Sequence, residues 1–250
     1  MTSKIVRFGL AFSFLLSADA QAQTAGHQAP QSFTKEVRRT ASLQYLLYLP
    51  KDYGKDAAQK WPLVLFLHGA GESGSDIEKV KVPGPPKLIA QGKEFPAIVV
   101  SPQCPSADLR RAGGWWQPDV LDAMLDDLVA RYSVDQDRVY LTGLSMGGYG
   151  TWAWATQRPE RFAAIAPICG GGLPRYMPRL RGLGIWVFHG AKDQVVKLNE
   201  SEELVDALKA ANIPVKFTVY PEAGHDSWTA TYENPEFWDW LFQQRRVKQP

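Results

Sequence analysis

The stretch Val139-Tyr140-Leu141-Thr142-Gly143-Leu144-Ser145-Met146-Gly147-Gly148 sets a Gly-x-Ser-x-Gly motif between a β-rich apolar run and a segment that can form a helix. In this order the motif is typical of a sharp strand-to-helix turn that holds its serine at an exposed point. Gly143 and Gly147 suit such a turn because a Cβ at either position would collide with the neighbouring strand or helix. The sequence therefore predicts that Ser145 is a nucleophile near a helix N-terminus.

Two further strand patterns end in residues that could activate this serine. The run from Trp186 ends in a turn with Asp193, and the run from Phe217 ends in a loop with His225. Open α/β sheets place ligands beyond the carboxyl ends of their strands, where all three residues are expected. A serine hydroxyl needs a base to take its proton, so His225 is the candidate base and Asp193 the acid that orients it. Glu222 is an alternative acid.

The apolar run Leu63 to Leu67 reads as a buried parallel strand, and His68-Gly69-Ala70-Gly71-Glu72 follows it. A loop of this kind supplies one backbone N–H to an oxyanion hole, and the residue after the nucleophile supplies the other. The candidate donors are therefore the N–H groups of Ala70 and Met146. We interpret His68 as a structural histidine that hydrogen-bonds loop backbone.

These motifs together resemble the α/β-hydrolase superfamily. The resemblance is closest to small secreted carboxylesterases of the dienelactone-hydrolase-like and predicted-peptidase group, and it extends to polyhydroxybutyrate depolymerase-type and feruloyl esterase-type domains. It covers the chain from about Ser42 to the C-terminus. It implies the fold and a Ser-Asp-His triad, whereas the substrate stays open because this scaffold hosts esters, lactones, thioesters and peptides. The segments that carry the resemblance are His68–Glu72, Gly143–Trp152, Pro167–Gly172, Phe188–Asp193 and Gly224–Trp228.

The alternation of strand and helix patterns predicts an α/β fold with a mostly parallel, twisted sheet of about seven or eight strands and helices on both faces. We expect a signal peptide over residues 1–22, a flexible lead-in over 23–40 and one catalytic domain over 41–250. Asn234-Pro235 predicts the start of a last helix. The expected strands lie near residues 43–49, 63–67, 97–101, 138–142, 163–168, 185–189 and 215–220.

The connection from Ile168 to Gly184 is too short for a large cap domain, so we expect an open site. Residues 74–86 and 110–116 are then the expected specificity walls. Trp116, Trp228 and Glu72 are the candidate substrate-binding residues, although packing beneath surface loops is an equal interpretation of the two tryptophans.

Composition excludes several other classes of function. The formal net charge of +2 and the absence of a basic, aromatic-rich cluster do not suggest a nucleic-acid partner. The N-terminal apolar segment is too short for a membrane anchor. With four histidines and no clustered carboxylates, neither a metal nor another cofactor is expected.

The two cysteines, Cys104 and Cys169, follow different predicted strands. They could form a disulfide in an oxidising compartment. In the sheet order typical of this fold, however, two other strands would separate theirs, at about 4.8 Å per strand. That span exceeds the reach of a disulfide, so we expect two free, buried thiols.

Three functions are compatible with these residues. The first is a secreted serine hydrolase that cleaves small or polymer-end carboxylic esters through an acyl-enzyme. The second is a serine peptidase of the prolyl-oligopeptidase-like type, which uses the same triad. The third is a non-catalytic binding module, against which the intact set Ser145, Asp193 and His225 argues.

Overall fold

The computed structural model describes residues 30, 32–36, 40–108 and 115–247. The chain clusters into two units, Met1–Thr40 and Ala41–Pro250, and the fold described below is that of the second. The predicted signal peptide and residues 110–114 of the expected specificity wall lie outside the described residues. Among the helices that the structure describes, none is long and apolar enough to cross a membrane.

The described part of the second unit contains one seven-stranded sheet in the order β1-β3-β2-β4-β5-β6-β7. Strand β1 pairs antiparallel with β3, and every other pairing is parallel. The mostly parallel sheet predicted from the sequence is therefore confirmed. The strands are β1 Tyr45–Tyr48, β2 Trp61–Leu67, β3 Ile98–Pro102, β4 Val134–Leu144, β5 Ala164–Ile168, β6 Gly184–Gly190 and β7 Lys216–Tyr220.

Helices cover both faces of this sheet. The α-helices are α1 Gly84–Ala90, α2 Pro118–Arg131, α3 Met146–Gln157, α4 Asn199–Ala210, α5 Trp228–Glu233 and α6 Pro235–Gln243. Short 3₁₀ helices occupy Ala70–Glu72, Ile77–Lys81, Pro159–Arg161 and Pro174–Leu180. The side chain of Asn234 accepts the N–H of Glu236, which confirms the predicted N-terminus of α6.

Strand β2 shows why both faces must be covered. Its side chains alternate between two apolar cores: Leu65 belongs to the core that includes α2, α3 and α4, and Phe66 to the core that includes α1, α5 and α6. All seven β2 residues are buried, as expected for a central parallel strand.

Strand β4 is longer than its sequence pattern predicts. It begins at Val134 rather than near residue 138 because Trp61 pairs with Val134 before an irregularity shifts the register. The connection from β5 to β6 holds only the short helix Pro174–Leu180, so the described chain carries no large cap there. The carboxyl ends of β2, β4, β5, β6 and β7 meet at one edge of the sheet, where the candidate residues lie.

Candidate active site

Ser145 occupies a strained turn between β4 and α3. Its φ of 52° and ψ of −117° are unfavourable for a residue with a side chain, a strain typical of functional turns. A Cβ on Gly147 would lie 1.9 Å from the Leu67 carbonyl oxygen, and one on Gly143 would lie 2.4 Å from the Gly147 carbonyl oxygen. The Ser145 N–H donates to Ile168 O at 3.0 Å. Backbone contacts from two neighbouring strands therefore fix where the serine stands.

The loops after β6 and β7 bring the predicted acid and base to this serine. Nε2 of His225 lies 3.0 Å from Oγ of Ser145, and Nδ1 lies 2.8 Å from Oδ2 of Asp193. A carboxylate only accepts hydrogen bonds, so Nδ1 carries the proton and Nε2 is left to accept from the serine hydroxyl. The structure thus joins the three residues in one chain of hydrogen bonds.

The carboxylate of Asp193 is buried but well supplied with donors. Its Oδ1 accepts the N–H groups of Val195 and Val196, at 2.8 and 3.0 Å. Burial by itself would raise the pKa of Asp193, but the hydrogen bonds from His225 and from these two backbone groups outweigh it and lower the pKa. The carboxylate therefore stays ionised beside the imidazole. Glu222, the alternative acid, is exposed and pairs with Lys192 instead.

His68 is fully buried and hydrogen-bonds loop backbone, as interpreted from the sequence. Its Nδ1 lies 2.6 Å from Gly69 O, and its Nε2 accepts the Cys104 N–H at 2.9 Å. Burial lowers the pKa of His68 to about 4 even though the Gly69 carbonyl favours the charged form. The neutral imidazole thus holds the loop that follows β2 against the one that follows β3.

The two candidate oxyanion donors begin helical turns on either side of Ser145. Met146 is the first residue of α3, and Ala70 is the first residue of the 3₁₀ turn Ala70–Glu72. N–H groups at the start of a helix have no acceptor within it. A Cβ on Gly69 would lie 3.7 Å from Cβ of Ser145, so the Gly69-Ala70 backbone adjoins Ser145.

Glu72 lies on the same loop, and its side chain is largely buried. Its Oε2 is 3.9 Å from Nδ1 of His68 and would be 3.3 Å from a Cβ on Gly69. Burial raises the pKa of Glu72, while the backbone N–H groups of Gly69 and Glu72 partly offset that effect. This candidate substrate-binding carboxylate therefore borders the loop that carries Ala70.

Comparisons with known proteins identify the family of the chain. A family model described as "Putative esterase" matches residues 40–174, more than half of the chain. The chain belongs to this esterase family. A second model, "Dienelactone hydrolase family", matches residues 113–236 of the esterase.

Several individual relatives and solved structures are similar to this chain. "Probable feruloyl esterase C" of Aspergillus terreus is 28% identical over 197 residues, which are 78% of this chain and 70% of the relative. "Poly(3-hydroxyalkanoate) depolymerase C" of Paucimonas lemoignei is 31% identical over 52% of this chain and 32% of its own length. The crystal structure of a thermostable esterase matches with a TM-score of 0.69 and 36% identity, over 82% of this chain and 60% of the other.

The tryptophans near the site of the esterase take different positions. Trp116 is 7% exposed; its ring lies 4.8 Å from that of His68, and its Nε1 donates to His68 O at 3.2 Å. Trp228 is half-buried, and its ring stands at 89° to the His225 ring, 5.2 Å away. Trp116 therefore supports the loop after β2, whereas Trp228 flanks the imidazole directly.

Cys169 is a neighbour of the site that the sequence did not reveal. Its Sγ lies within 4.8 Å of ligand atoms of Asp193 and His225. Burial raises the pKa of this thiol to about 12. Both Cys169 and Cys104 are free and buried, as predicted, and β2 and β4 separate their strands. The sequence does place Cys169 directly after β5, which is where site residues are expected. Its proximity to the imidazole, however, depends on loops that are far apart in sequence.

Proposed function

We propose that this esterase hydrolyses carboxylic esters through an acyl-enzyme intermediate on Ser145. His225 is the general base, and Asp193 orients and stabilises its imidazole. The observation that carries the proposal is the unbroken chain of hydrogen bonds from Asp193 through His225 to Ser145, 2.8 and 3.0 Å long.

The reaction follows from these positions. Nε2 of His225 takes the Ser145 proton as Oγ attacks the ester carbonyl carbon, and the carbonyl oxygen becomes an oxyanion. The N–H groups of Met146 and Ala70 stabilise that charge, and each such donor is worth about 2.7–4 kcal/mol in related sites. When the C–O bond breaks, the imidazolium returns its proton to the leaving alcohol. Water then repeats the sequence on the acyl-enzyme and releases the acid.

The surroundings of Ser145 favour an ester whose alcohol or acid is bulky and approaches from solvent. No large cap covers the described site, so a substrate need not fit a closed cavity. The relatives' names, a feruloyl esterase and a polyhydroxyalkanoate depolymerase, refer to esters of this kind. We therefore propose that the substrates are esters of small molecules or ester groups at the ends of polymers.

A paired rate assay tests the proposal. It compares p-nitrophenyl esters of increasing acyl length and a feruloyl ester with matched amides. We expect fast ester turnover, negligible amide cleavage, and a loss of about 10⁴-fold or more in kcat for Ser145→Ala. Amide cleavage at a comparable kcat/KM would favour a peptidase, and turnover that survives Ser145→Ala would exclude Ser145 as the nucleophile.

We also propose that residues 1–22 direct export of the enzyme and are then cleaved off. The support is a charged start at Lys4 and Arg7, an apolar core, and Ala20-Gln21-Ala22 as a cleavage motif. N-terminal sequencing of protein recovered outside the cytoplasm tests it: a mature chain that begins near Gln23 is expected, and an intact Met1 would contradict it.

A further inference from the structure

An aromatic groove runs along α3 and begins one helical turn beyond Ser145. It encloses about 350 Å³, a volume within the range of small-ligand sites. Helix α3 forms one wall, and the other is the loop after β5 with the 3₁₀ helix Pro174–Leu180. The residues that give the groove its character are Trp115, Tyr149, Trp152, Leu173, Tyr176 and Arg179.

The near end of the groove adjoins the active site. Tyr149 lies one helical turn after Ser145, and its N–H donates to Ser145 O at 3.0 Å. The Trp115 ring packs 5.7 Å from the Tyr149 ring. Burial raises the pKa of Tyr149 to about 12, and the Glu200 carboxylate, which accepts a hydrogen bond from the Tyr149 hydroxyl, adds to this effect. This end therefore presents aromatic surface and a carboxylate that is already engaged.

The far end of the groove is cationic. Arg179 donates to Thr156 O at 3.4 Å, and Thr156 stands 11 residues beyond Ser145, or about 16 Å along a helix. The guanidinium carbons of Arg175 and Arg179 lie 4.8 and 5.0 Å from the Tyr176 ring centre. Both arginines are exposed. Arg179 therefore lines the groove itself, and Arg175 adjoins it through the Tyr176 ring.

These two arginines lack acidic partners in the described part of the chain. Arg175 donates to the Tyr176 hydroxyl and Arg179 to a backbone carbonyl, and neither forms an ion pair there. By contrast, Arg131 on α2 pairs with Asp127 at 2.8 Å. A guanidinium stacked on an aromatic ring keeps its edge N–H groups for a carboxylate, which it binds with two hydrogen bonds.

We propose that the aromatic groove is a substrate subsite for a ring that carries a carboxylate, beyond the scissile ester. The inference rests on the proposed function, because it extends the substrate of the same Ser145. The ring packs against the lining of the groove at Tyr149 and Leu173, its carboxylate meets Arg175 and Arg179, and the ester reaches back along α3. A uronic-acid sugar and an aromatic acid both offer this chemistry.

Isothermal titration calorimetry on the intact enzyme tests the subsite and distinguishes the two sources. The probes are trigalacturonate and ferulate, with the neutral xylotriose and ferulamide as their counterparts. We expect one acidic probe to bind, with affinity that falls as salt rises, and its neutral counterpart to bind at least about tenfold more weakly. Binding of trigalacturonate would identify a uronic acid as the ligand, and binding of ferulate would identify an aromatic acid.

Variants assign the binding to the groove. Arg175→Gln and Arg179→Gln, alone and together, remove the charges from exposed positions, and Arg131→Gln removes one elsewhere. The double variant should bind the acidic probe about tenfold or more weakly than the wild type, whereas Arg131→Gln should bind it with unchanged affinity. All variants should hydrolyse p-nitrophenyl acetate at the wild-type rate. Equal binding of neutral probes, no binding of either acidic probe, or an unaffected double variant overturns the subsite. If the wild type did not hydrolyse p-nitrophenyl acetate at all, that result would instead contradict the proposed function.

Discussion

Nε2 of His189 lies 3.4 Å from Oδ2 of Asp193, the oxygen that also contacts His225. The same nitrogen donates to the Val196 carbonyl oxygen at 2.9 Å, and Nδ1 lies 2.8 Å from the Ser201 hydroxyl. His189 is fully buried. Asp193 thus accepts hydrogen bonds from a backbone turn and from His225, and the buried His189 ring lies beside its Oδ2.

Replacing this acid by its amide should preserve the fold but not the activity. In Asp193→Asn, Oδ1 can still accept the Val195 and Val196 N–H groups, which turns the amide NH₂ toward Nδ1 of His225. The imidazole must then carry its proton on Nε2, where it cannot accept from Ser145. We expect kcat to fall by about 10³–10⁴-fold with KM little changed, measured on p-nitrophenyl acetate. A loss below tenfold would show that Asp193 is not the orienting acid.

His68 should make stability depend on pH. Its folded pKa of about 4 lies below the unfolded value of about 6.5, so the folded state favours the neutral ring. This contribution is fully present above about pH 6.5 and is lost as the pH falls toward 4, by on the order of 3 kcal/mol.

The measurement is the free energy of unfolding in urea at pH 7 and at pH 4.5. His68→Gln cannot titrate, and its amide oxygen can accept the Cys104 N–H. The free energy of unfolding should therefore differ less between the two pH values in this variant than in the wild type. An equal difference in both proteins would mean that other groups cause the acid sensitivity.

The serine turn should not tolerate a methyl group at Gly147. A Cβ there would lie 1.9 Å from Leu67 O and 2.7 Å from His68 O, both backbone atoms of β2 or its loop. We expect Gly147→Ala to destabilise the fold by about 3 kcal/mol or more and to abolish turnover. Gly71→Ala is the matched control, because no atom lies within 4 Å of its Cβ position. Thermal unfolding compares them, and similar midpoints for the two variants would contradict the crowding argument.

Thiol titration should show two cysteines that react only after unfolding. Cys104 and Cys169 are free and 0% exposed, and burial raises the pKa of both thiols. Ellman's reagent should therefore label neither in the native protein and both in guanidinium chloride without a reductant. Failure to detect two thiols in the denatured protein would indicate a disulfide.

The sequence predicts those features that depend on local patterns. The apolar runs locate all seven strands, and Asn234 marks the start of α6 because its side chain caps the helix that follows. The positions of Ser145, Asp193 and His225 also follow, since each stands just beyond a strand in a parallel sheet.

Features that depend on how distant loops meet were beyond the sequence. The early start of β4 needs Trp61 beside Val134. The approach of Cys169 to His225 joins the loops after β5 and β7. The contact of Tyr176 with two arginines lies in the 3₁₀ helix Pro174–Leu180, which packs against α3 and α4 and which no periodic sequence pattern predicted.

The position of His225 after the last strand has a consequence for folding. On the proposed mechanism, Ser145 becomes reactive only when β7 has joined the sheet and His225, 80 residues away in sequence, has reached it. Contacts of such large sequence separation form late and slowly. Recovery of ester turnover during refolding should therefore lag behind the return of the circular dichroism signal of helices and strands. The rate of ester hydrolysis would then report when the last strand of the described sheet has joined it.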